Sequence, residues 1–498
     1  MSTTAPITFH LHLPHIDGET VTFRWDASAP IRFQKATSFW FRYEGIDLAW
    51  FAPELLLEIF LALELKVLGA LDRPVHLVLP QAIPAPVADF WRGWNDAWNV
   101  EITPLSSAPA YDPWRISPHP RPRQHRRAVF FGGGKDSTLV SQFWREADGA
   151  DDVLLVRGIY FATPGAERLD VLRTDAERRL LQPNRDAFGL ASACYWTNYP
   201  TTIHPNAAAA RPHLELHTAG ALPILLAHGV TTAAFCIEYF NYVARRLPDA
   251  PMPAAPKPRS APEFLASQSA HYHDVLGARL TITNPLWPMS ISGIFKTLVE
   301  RYPAAAGTFV SCSRWSHRRW CMSCSKCLRS GTYLLAAGWL DPDYDFSIPF
   351  TSWRGNLDML TAATRDLPPG AIAPWSPDLP ELASHFEERC DTIARIDLAT
   401  VGPALGPAAY DTLARLLAAY GNVRAPRYLQ VPRTALARLP HDVAALLESS
   451  VAPHLDIVDD LPDYLDPTGA THVLPWHLFT PLPRGMAAPD HSALASAH

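Results

Sequence analysis

The stretch Val129-Phe130-Phe131-Gly132-Gly133-Gly134-Lys135-Asp136-Ser137 passes from a short apolar run through three glycines into a segment carrying Val140, Phe143 and Trp144 at helical spacing. Val153-Leu154-Leu155-Val156 follows as a second apolar run. Strand, glycine turn, helix and strand in this order predict a βαβ unit, and with it an α/β fold built on a parallel sheet. A glycine turn between strand and helix lets backbone N–H groups approach phosphate oxygens with no Cβ in the way. The helix start adds the positive end of its dipole. Neither the Gly-x-x-x-x-Gly-Lys-Ser/Thr loop nor the Gly-x-Gly-x-x-Gly dinucleotide turn has this spacing. A tight structural bend before a capped helix is the alternative without a ligand. Further α/β elements are predicted at 214–228, 233–237 and 280–283, and a proline-rich loop at 249–262 is placed to order over a substrate.

Working outward, residues 1–110 read as an independent small α+β domain. Period-two alternation marks strands at Thr8–Leu13 and Val21–Trp25, and Val75–Leu79 reads as a buried strand. Pro53 opens a helix whose Leu55, Ile59, Leu63 and Val67 share one face, as in a surface helix docked on a sheet. Phe90, Trp91, Trp94 and Trp98 read as the core face of a second helix. Residues 111–127 form a basic, proline-rich linker, either a solvated connector or a set of arginines within reach of phosphate. The α/β domain then spans 128–340, a mostly helical portion 341–483, and a disordered tail 484–498.

The chain has 498 residues, with 43 Lys+Arg against 49 Asp+Glu, a net charge of −6 and 48% hydrophobic residues. That excludes fibrous and globally disordered classes and lacks the basic footprint of a dedicated nucleic-acid binder, which leaves a small-molecule substrate as the expectation. Phe51–Ala70 is interrupted by Glu54, Glu58, Glu64 and Lys66, so no membrane span is expected. The first residues lack a signal-peptide pattern, which predicts a cytoplasmic protein.

Four of the seven cysteines, Cys312, Cys321, Cys324 and Cys327, stand as C-x8-C-x2-C-x2-C. Four thiolates at that spacing close a structural tetrahedral Zn²⁺ site; an iron–sulfur cluster is the rival reading. Arg314, His317, Arg318 and Arg319 lie inside the first loop of this cluster, where the arginines either hold substrate phosphate or face water. Cys194, Cys236 and Cys390 stand apart and read as buried thiols, with sulfur transfer by Cys194 and Cys236 as the alternative. His204, His213 and His217 have no carboxylate partner at metal spacing. Glu238 and Tyr239 follow a predicted strand, where parallel sheets place ligands, and Glu238 is the candidate catalytic carboxylate, with structural hydrogen bonding as the alternative.

The glycine stretch resembles the PP-loop of the ATP pyrophosphatase superfamily, Ser-Gly-Gly-Lys-Asp-Ser, with Gly132 in place of the leading serine and Gly133-Gly134-Lys135-Asp136-Ser137 matching. The resemblance implies a HUP-like domain that splits ATP between its α- and β-phosphates and activates a substrate oxygen as an adenylate. Gly132, Gly133, Gly134, Lys135, Asp136 and Ser137 would bind ATP, Lys135 and Asp136 would act in catalysis, and Asp136 would orient the loop or help hold Mg²⁺. With Pro285-Leu286 and the four cysteines ending in Lys326-Cys327-Leu328-Arg329, residues 128–340 are similar to 7-cyano-7-deazaguanine synthases. They depart from them at Ile291 and Gly293, where that family carries a lysine and an acidic residue. Chain length, the extra amino-terminal domain and Trp320-Cys321-x-x-Cys324-x-Lys326-Cys327 look more like the muropeptide glutamate epimerases. Those enzymes use ATP and Mg²⁺ to invert the terminal L-Glu of UDP-N-acetylmuramoyl-L-alanyl-L-glutamate. The expected partner is therefore a carboxylate substrate linked to UDP. A PP-loop ligase or tRNA-modifying enzyme, including a thiolating one, and a nonenzymatic nucleotide-binding module stand as alternatives.

Overall fold

The structure, a computed structural model, describes residues 5–105, 125–160, 174–203, 214–238, 260–311, 319–322, 325–351, 388, 391–421 and 426–459. The amino-terminal part supplies β1 (Ile7–Leu11), β2 (His15–Asp17), β3 (Thr20–Ala27), β4 (Ser38–Tyr43), α1 (Pro53–Gly69), β5 (Val75–Leu79), α2 (Ala85–Trp94) and β6 (Val100–Pro104). The central part supplies β7 (Arg127–Phe130), α3 (Lys135–Asp148), β8 (Val153–Tyr160), α4 (Gln182–Phe188), β9 (Ala191–Thr197), α5 (Leu214–Thr218), α6 (Leu222–Ala227) and β10 (Thr232–Ala234). It continues with α7 (Pro262–Leu276), β11 (Thr281–Thr283), α8 (Ile291–Arg301) and α9 (Ser325–Ala336). After these come α10 (Pro407–Tyr420), β12 (Gln430–Pro432), α11 (His441–Val451) and β13 (Asp456–Val458).

One eleven-stranded sheet joins the first two parts, in the order β11-β10-β7-β8-β9-β4-β3-β1-β5-β6, with β2 beside β3. The five strands from β11 to β9 are all parallel, as the βαβ reading requires. Their order places the first and fourth strands of this half, β7 and β10, side by side. There the chain reverses its direction of travel across the sheet, which is where open α/β sheets bind ligands.

The expected independence of residues 1–110 gives way at β4. This strand pairs antiparallel with β9, matching Phe41 to Thr197, Arg42 to Trp196 and Tyr43 to Tyr195. Without β4, the edge of β9 would carry unpaired backbone groups. Its alternating Phe39, Phe41 and Tyr43 are fully buried in a core that also holds Phe130, Leu154 and Leu222 from the central part. The linker also ends earlier than its composition suggests. Arg127 starts β7 and pairs with Asp148 at 2.9 Å and with Asp442 of α11 at 2.9 Å, while Arg126 meets Asp148 at 2.7 Å. These two arginines are structural anchors; residues 106–124 lie outside the described residues. The last part, expected to be mostly helical, also contains a small parallel sheet of β12 and β13. It docks on the central part through Arg438 and Glu263, and through the Ser290 hydroxyl, which donates to the Tyr428 carbonyl at 2.5 Å.

Two amino-terminal expectations change on packing. Trp98 lies beyond α2 and is 66% exposed, whereas Trp91 and Trp94 are buried. α1 is no surface helix: Leu56, Leu57, Phe60, Leu61 and Leu65 on its other faces are as buried as Leu55, Ile59, Leu63 and Val67, because α2 and α5 cover the side away from the sheet. The carboxylates of this helix therefore had to find internal partners. Glu58 accepts from the Trp91 indole at 2.5 Å and meets the His271 ring at 2.9 Å, and Glu64 accepts from the Gln34 amide.

Burial pushes the Glu64 carboxyl up from 4.5 to about 8, against the pull of its bonds to Tyr199 and Gln34. Between those two values the folded chain keeps a proton that the unfolded chain releases, so stability declines as pH rises through this window. Glu64→Gln, which mimics the protonated acid, removes that decline. Urea denaturation of both proteins at about pH 5 and about pH 8 checks this, and parallel pH dependences of the two midpoints count against it.

Candidate active site

The backbone turns at Gly133, whose φ of +76° lies in the left-handed region open to glycine. Its carbonyl accepts from Val310 N at 2.6 Å, which ties the turn to the segment just before Cys312. α3 begins at Lys135 with Gly134 as its cap residue, and no side chain caps this end. The first N–H groups of α3 thus have no side-chain acceptor among the described residues, and they carry the positive end of the helix dipole. The Ser137 hydroxyl turns back to the Gly134 carbonyl at 3.4 Å.

Lys135 is buried and donates to Asp136 Oδ1 and Oδ2 at 2.7 and 2.9 Å and to Glu238 Oε1 at 3.5 Å. Burial works against its ammonium, but Asp136 and Glu238 outweigh it and hold the pKa above the usual lysine value. Burial likewise drives Asp136 up to about 6 despite the attraction of Lys135. Glu238 reaches this point because Asn284, just past β11, clasps Ile237 from both sides, accepting from its N–H at 3.2 Å and donating to its carbonyl at 2.8 Å. So the glycine turn, Lys135, Asp136 and Glu238, far apart in sequence, meet at the carboxyl ends of β7 and β10, while Tyr239 lies outside the described residues.

Two further cations stand at this end of the sheet and were missed by sequence reasoning. Arg157, inside β8, donates to the Phe131 carbonyl at 3.2 Å and lies 3.9 Å from where a Cβ on Gly132 would stand. Arg329 of α9 lies close enough to oppose the charge of Lys135 and favour that of Asp136. A charged residue inside the apolar run Val153–Tyr160 was the available signal for Arg157. Arg329 stood in the Lys326-Cys327-Leu328-Arg329 stretch quoted above, with no role assigned to it.

No family model and no curated protein matches this chain. The chemistry of the site is accordingly argued from its own groups. Three cations and the uncapped helix end suit a polyanion, and the paired carboxylates of Asp136 and Glu238 supply the hard oxygen donors that Mg²⁺ prefers.

Cys312 and Cys324 lie outside the described residues, as do Arg314, His317, Arg318 and Cys390. Among the described residues no group of three His, Cys, Asp or Glu is arranged to hold a metal. Cys321 and Cys327 Sγ stand 3.8 Å apart. That is too far for a disulfide, and it equals the edge of a tetrahedron with sulfurs at about 2.3 Å from a central zinc. Arg319 is engaged inside the protein. It donates to the carbonyls of Phe309 and Ala306 at 2.9 and 2.7 Å, pairs with Asp341 at 2.8 Å, and lies over the Trp320 ring. Burial, with Asp136 nearby, pushes the Cys236 thiol well above its usual value, which disfavours the thiolate. His217 is half-buried and bonded to Tyr160; His204 and His213 lie outside the described residues. Lys296, the lysine nearest the 291–293 departure, forms an ion pair with Glu300.

Proposed function

We propose that the protein adenylates a substrate carboxylate with ATP, releasing pyrophosphate and AMP, and that it does so to epimerise the terminal L-Glu of UDP-N-acetylmuramoyl-L-alanyl-L-glutamate. The observation that carries this reading is the convergence of Lys135, Asp136 and Glu238 on a left-handed glycine turn at the point where the strand order reverses. The amides of Gly132, Gly133 and Gly134 and the start of α3 would hold the β- and γ-phosphates, with Lys135 and Arg157 offsetting their charge. Asp136 and Glu238 would hold Mg²⁺, which, when bound, offsets the charge gathering on the pyrophosphate. A substrate carboxylate oxygen attacks the α-phosphorus, and the bond from that phosphorus to pyrophosphate breaks. Forming the mixed anhydride with AMP is what makes inversion feasible: a free carboxylate resists loss of its α-proton because the enolate would carry a second negative charge, and joining that oxygen to phosphorus removes the first. Glu238, held by Lys135, serves phosphate and cation in this arrangement rather than the α-proton.

Cys321 and Cys327, with Cys312 and Cys324 completing the set, would hold one structural Zn²⁺, a closed site without an open coordination position. It would brace the segment that reaches Gly133 through Val310. One zinc per chain by elemental analysis, with all four thiols becoming reactive on chelation, is the expected result; visible charge-transfer absorption with bound iron would favour a cluster instead.

The test of function is incubation with ATP, Mg²⁺ and the UDP-linked L-glutamyl substrate, followed by assay of AMP, pyrophosphate and glutamate configuration. Substrate-dependent AMP with D-Glu supports the reading, and AMP without inversion removes the epimerase part of it. AMP formation driven instead by tRNA, with steeply salt-dependent binding, would move the protein to the tRNA-modifying class.

A further inference from the structure

Residues 306–311, which follow α8, bring a side chain to the glycine turn from outside the βαβ unit. Two sets of bonds hold this segment. Arg319 donates to the carbonyls of Ala306 and Phe309 at 2.7 and 2.9 Å and is itself paired with Asp341 at 2.8 Å. The Phe309 ring is fully buried and meets the Trp320 ring edge-on, with centroids 5.4 Å apart. One residue further on, Val310 N donates to the Gly133 carbonyl at 2.6 Å. The backbone is thus fixed up to the residue before Ser311.

That backbone sets Ser311 beside the start of α3. Its Oγ lies 3.9 Å from where a Cβ on Gly134 would stand, which puts it no more than about 5.5 Å from the Gly134 Cα. A phosphate oxygen sits about 2.7–3.0 Å from each donor that binds it, so a phosphate seated on the first amides of α3 also comes within reach of this hydroxyl. Gly134 and Ser311 are both half-buried, and the missing side chain at 134 leaves the space between them to a ligand.

The loop's own hydroxyl is turned inward. Among residues 132–137 only Ser137 carries one; it is buried and directed to the Gly134 carbonyl at 3.4 Å. Ser311 therefore supplies, from a distant part of the chain, the hydroxyl that faces the open side of the turn.

We propose that Ser311 is a phosphate-binding residue of this site, its hydroxyl donating to an oxygen of the β- or γ-phosphate, the part of ATP that leaves as pyrophosphate. This rests on the adenylation reading above and is independent of its epimerase part. No covalent bond to Ser311 forms or breaks. The hydroxyl gives one charge-assisted hydrogen bond, which it also offers to the released pyrophosphate. The segment that leads to the cysteines thereby closes one side of the phosphate site, with the glycine turn and Lys135 on the other.

The test is calorimetric titration of the full chain with inorganic pyrophosphate in the presence of Mg²⁺, using the wild type, Ser311→Ala and Ser311→Thr. Ser311→Ala is expected to weaken pyrophosphate binding by about 10–100-fold, and Ser311→Thr, which keeps the hydroxyl, by no more than about 3-fold, because one hydrogen bond to a charged group is what separates them. Thermal melts of the three proteins are expected to coincide. Binding by Ser311→Ala that matches the wild type overturns the proposal. So does a loss of equal size in Ser311→Thr, which would make Ser311 a packing residue whose hydroxyl is immaterial. A wild type that binds no pyrophosphate fails the phosphate site itself, and with it the adenylation reading, whereas binding retained in Ser311→Ala fails this proposal alone.

Discussion

Lys135→Ala is expected to lower substrate-dependent pyrophosphate release by about 10²–10³-fold, the usual cost of removing one donor aimed at developing charge in a closed site. Lys135 touches both acids of the site, at 2.7 Å to Asp136 and 3.5 Å to Glu238. It has two roles. In the proposed reaction its ammonium would face the phosphates; in the structure it balances two buried carboxylates. The variant is expected to fold, because a buried carboxyl that loses its counter-charge takes up a proton rather than staying ionised. Asp136, already driven up to about 6 beside the lysine, is the group placed to do so. Single-turnover assays of pyrophosphate together with a thermal melt separate the two effects. Undiminished release in a folded variant would falsify the phosphate role of the loop.

Gly133→Ala is expected to cost about 2–5 kcal/mol of stability, from roughly 1–2 for a non-glycine residue in left-handed backbone and 1–3 for overpacking. The φ of +76° sets the first part. The second arises because a Cβ would lie 2.5 Å from Leu180 Cδ2 and 3.2 Å from its Cγ, in a buried leucine. The turn can escape this strain only by flattening, which breaks the bond from Val310 N to the Gly133 carbonyl and removes the amide cradle, so pyrophosphate release falls as well. Gly132→Ala is the control: its nearest new contact is Arg157 Nη1 at 3.9 Å and its φ is not in the left-handed region, so stability should stay within about 0.5 kcal/mol. Denaturation midpoints of the two variants give the comparison, and equal losses would mean that the turn is not strained at Gly133.

Packing rearranged several readings that composition had suggested. α1 looked amphipathic because glutamates and a lysine interrupt its leucines, yet Glu58 and Glu64 are buried. Burial there became tolerable through Trp91, His271, Gln34 and Tyr199, residues 30 or more positions away along the chain. Arg319 had the composition of a phosphate ligand but is held by two carbonyls and Asp341. Trp98 shares the spacing of its aromatic neighbours but falls past the end of the helix, where spacing no longer places it on the buried face.

The sequence by itself determined the parallel βαβ unit, the glycine turn, and the glycines, lysine, aspartate and serine it presents. Those are local matters, settled by apolar periodicity and by the φ that only glycine accepts without strain. Glu238 could be named from its place after a strand, but its partner could not. The tertiary structure alone decided that β4 closes the edge of β9 and merges two expected domains into one sheet. It also decided that Arg157 and Arg329 stand beside the loop, and that Gly158 opens room for the Tyr160 and Tyr195 hydroxyls to meet. Strand order, and with it which strand ends become neighbours, depends on burial shared between distant segments, and no window of sequence contains both sides of such a contact.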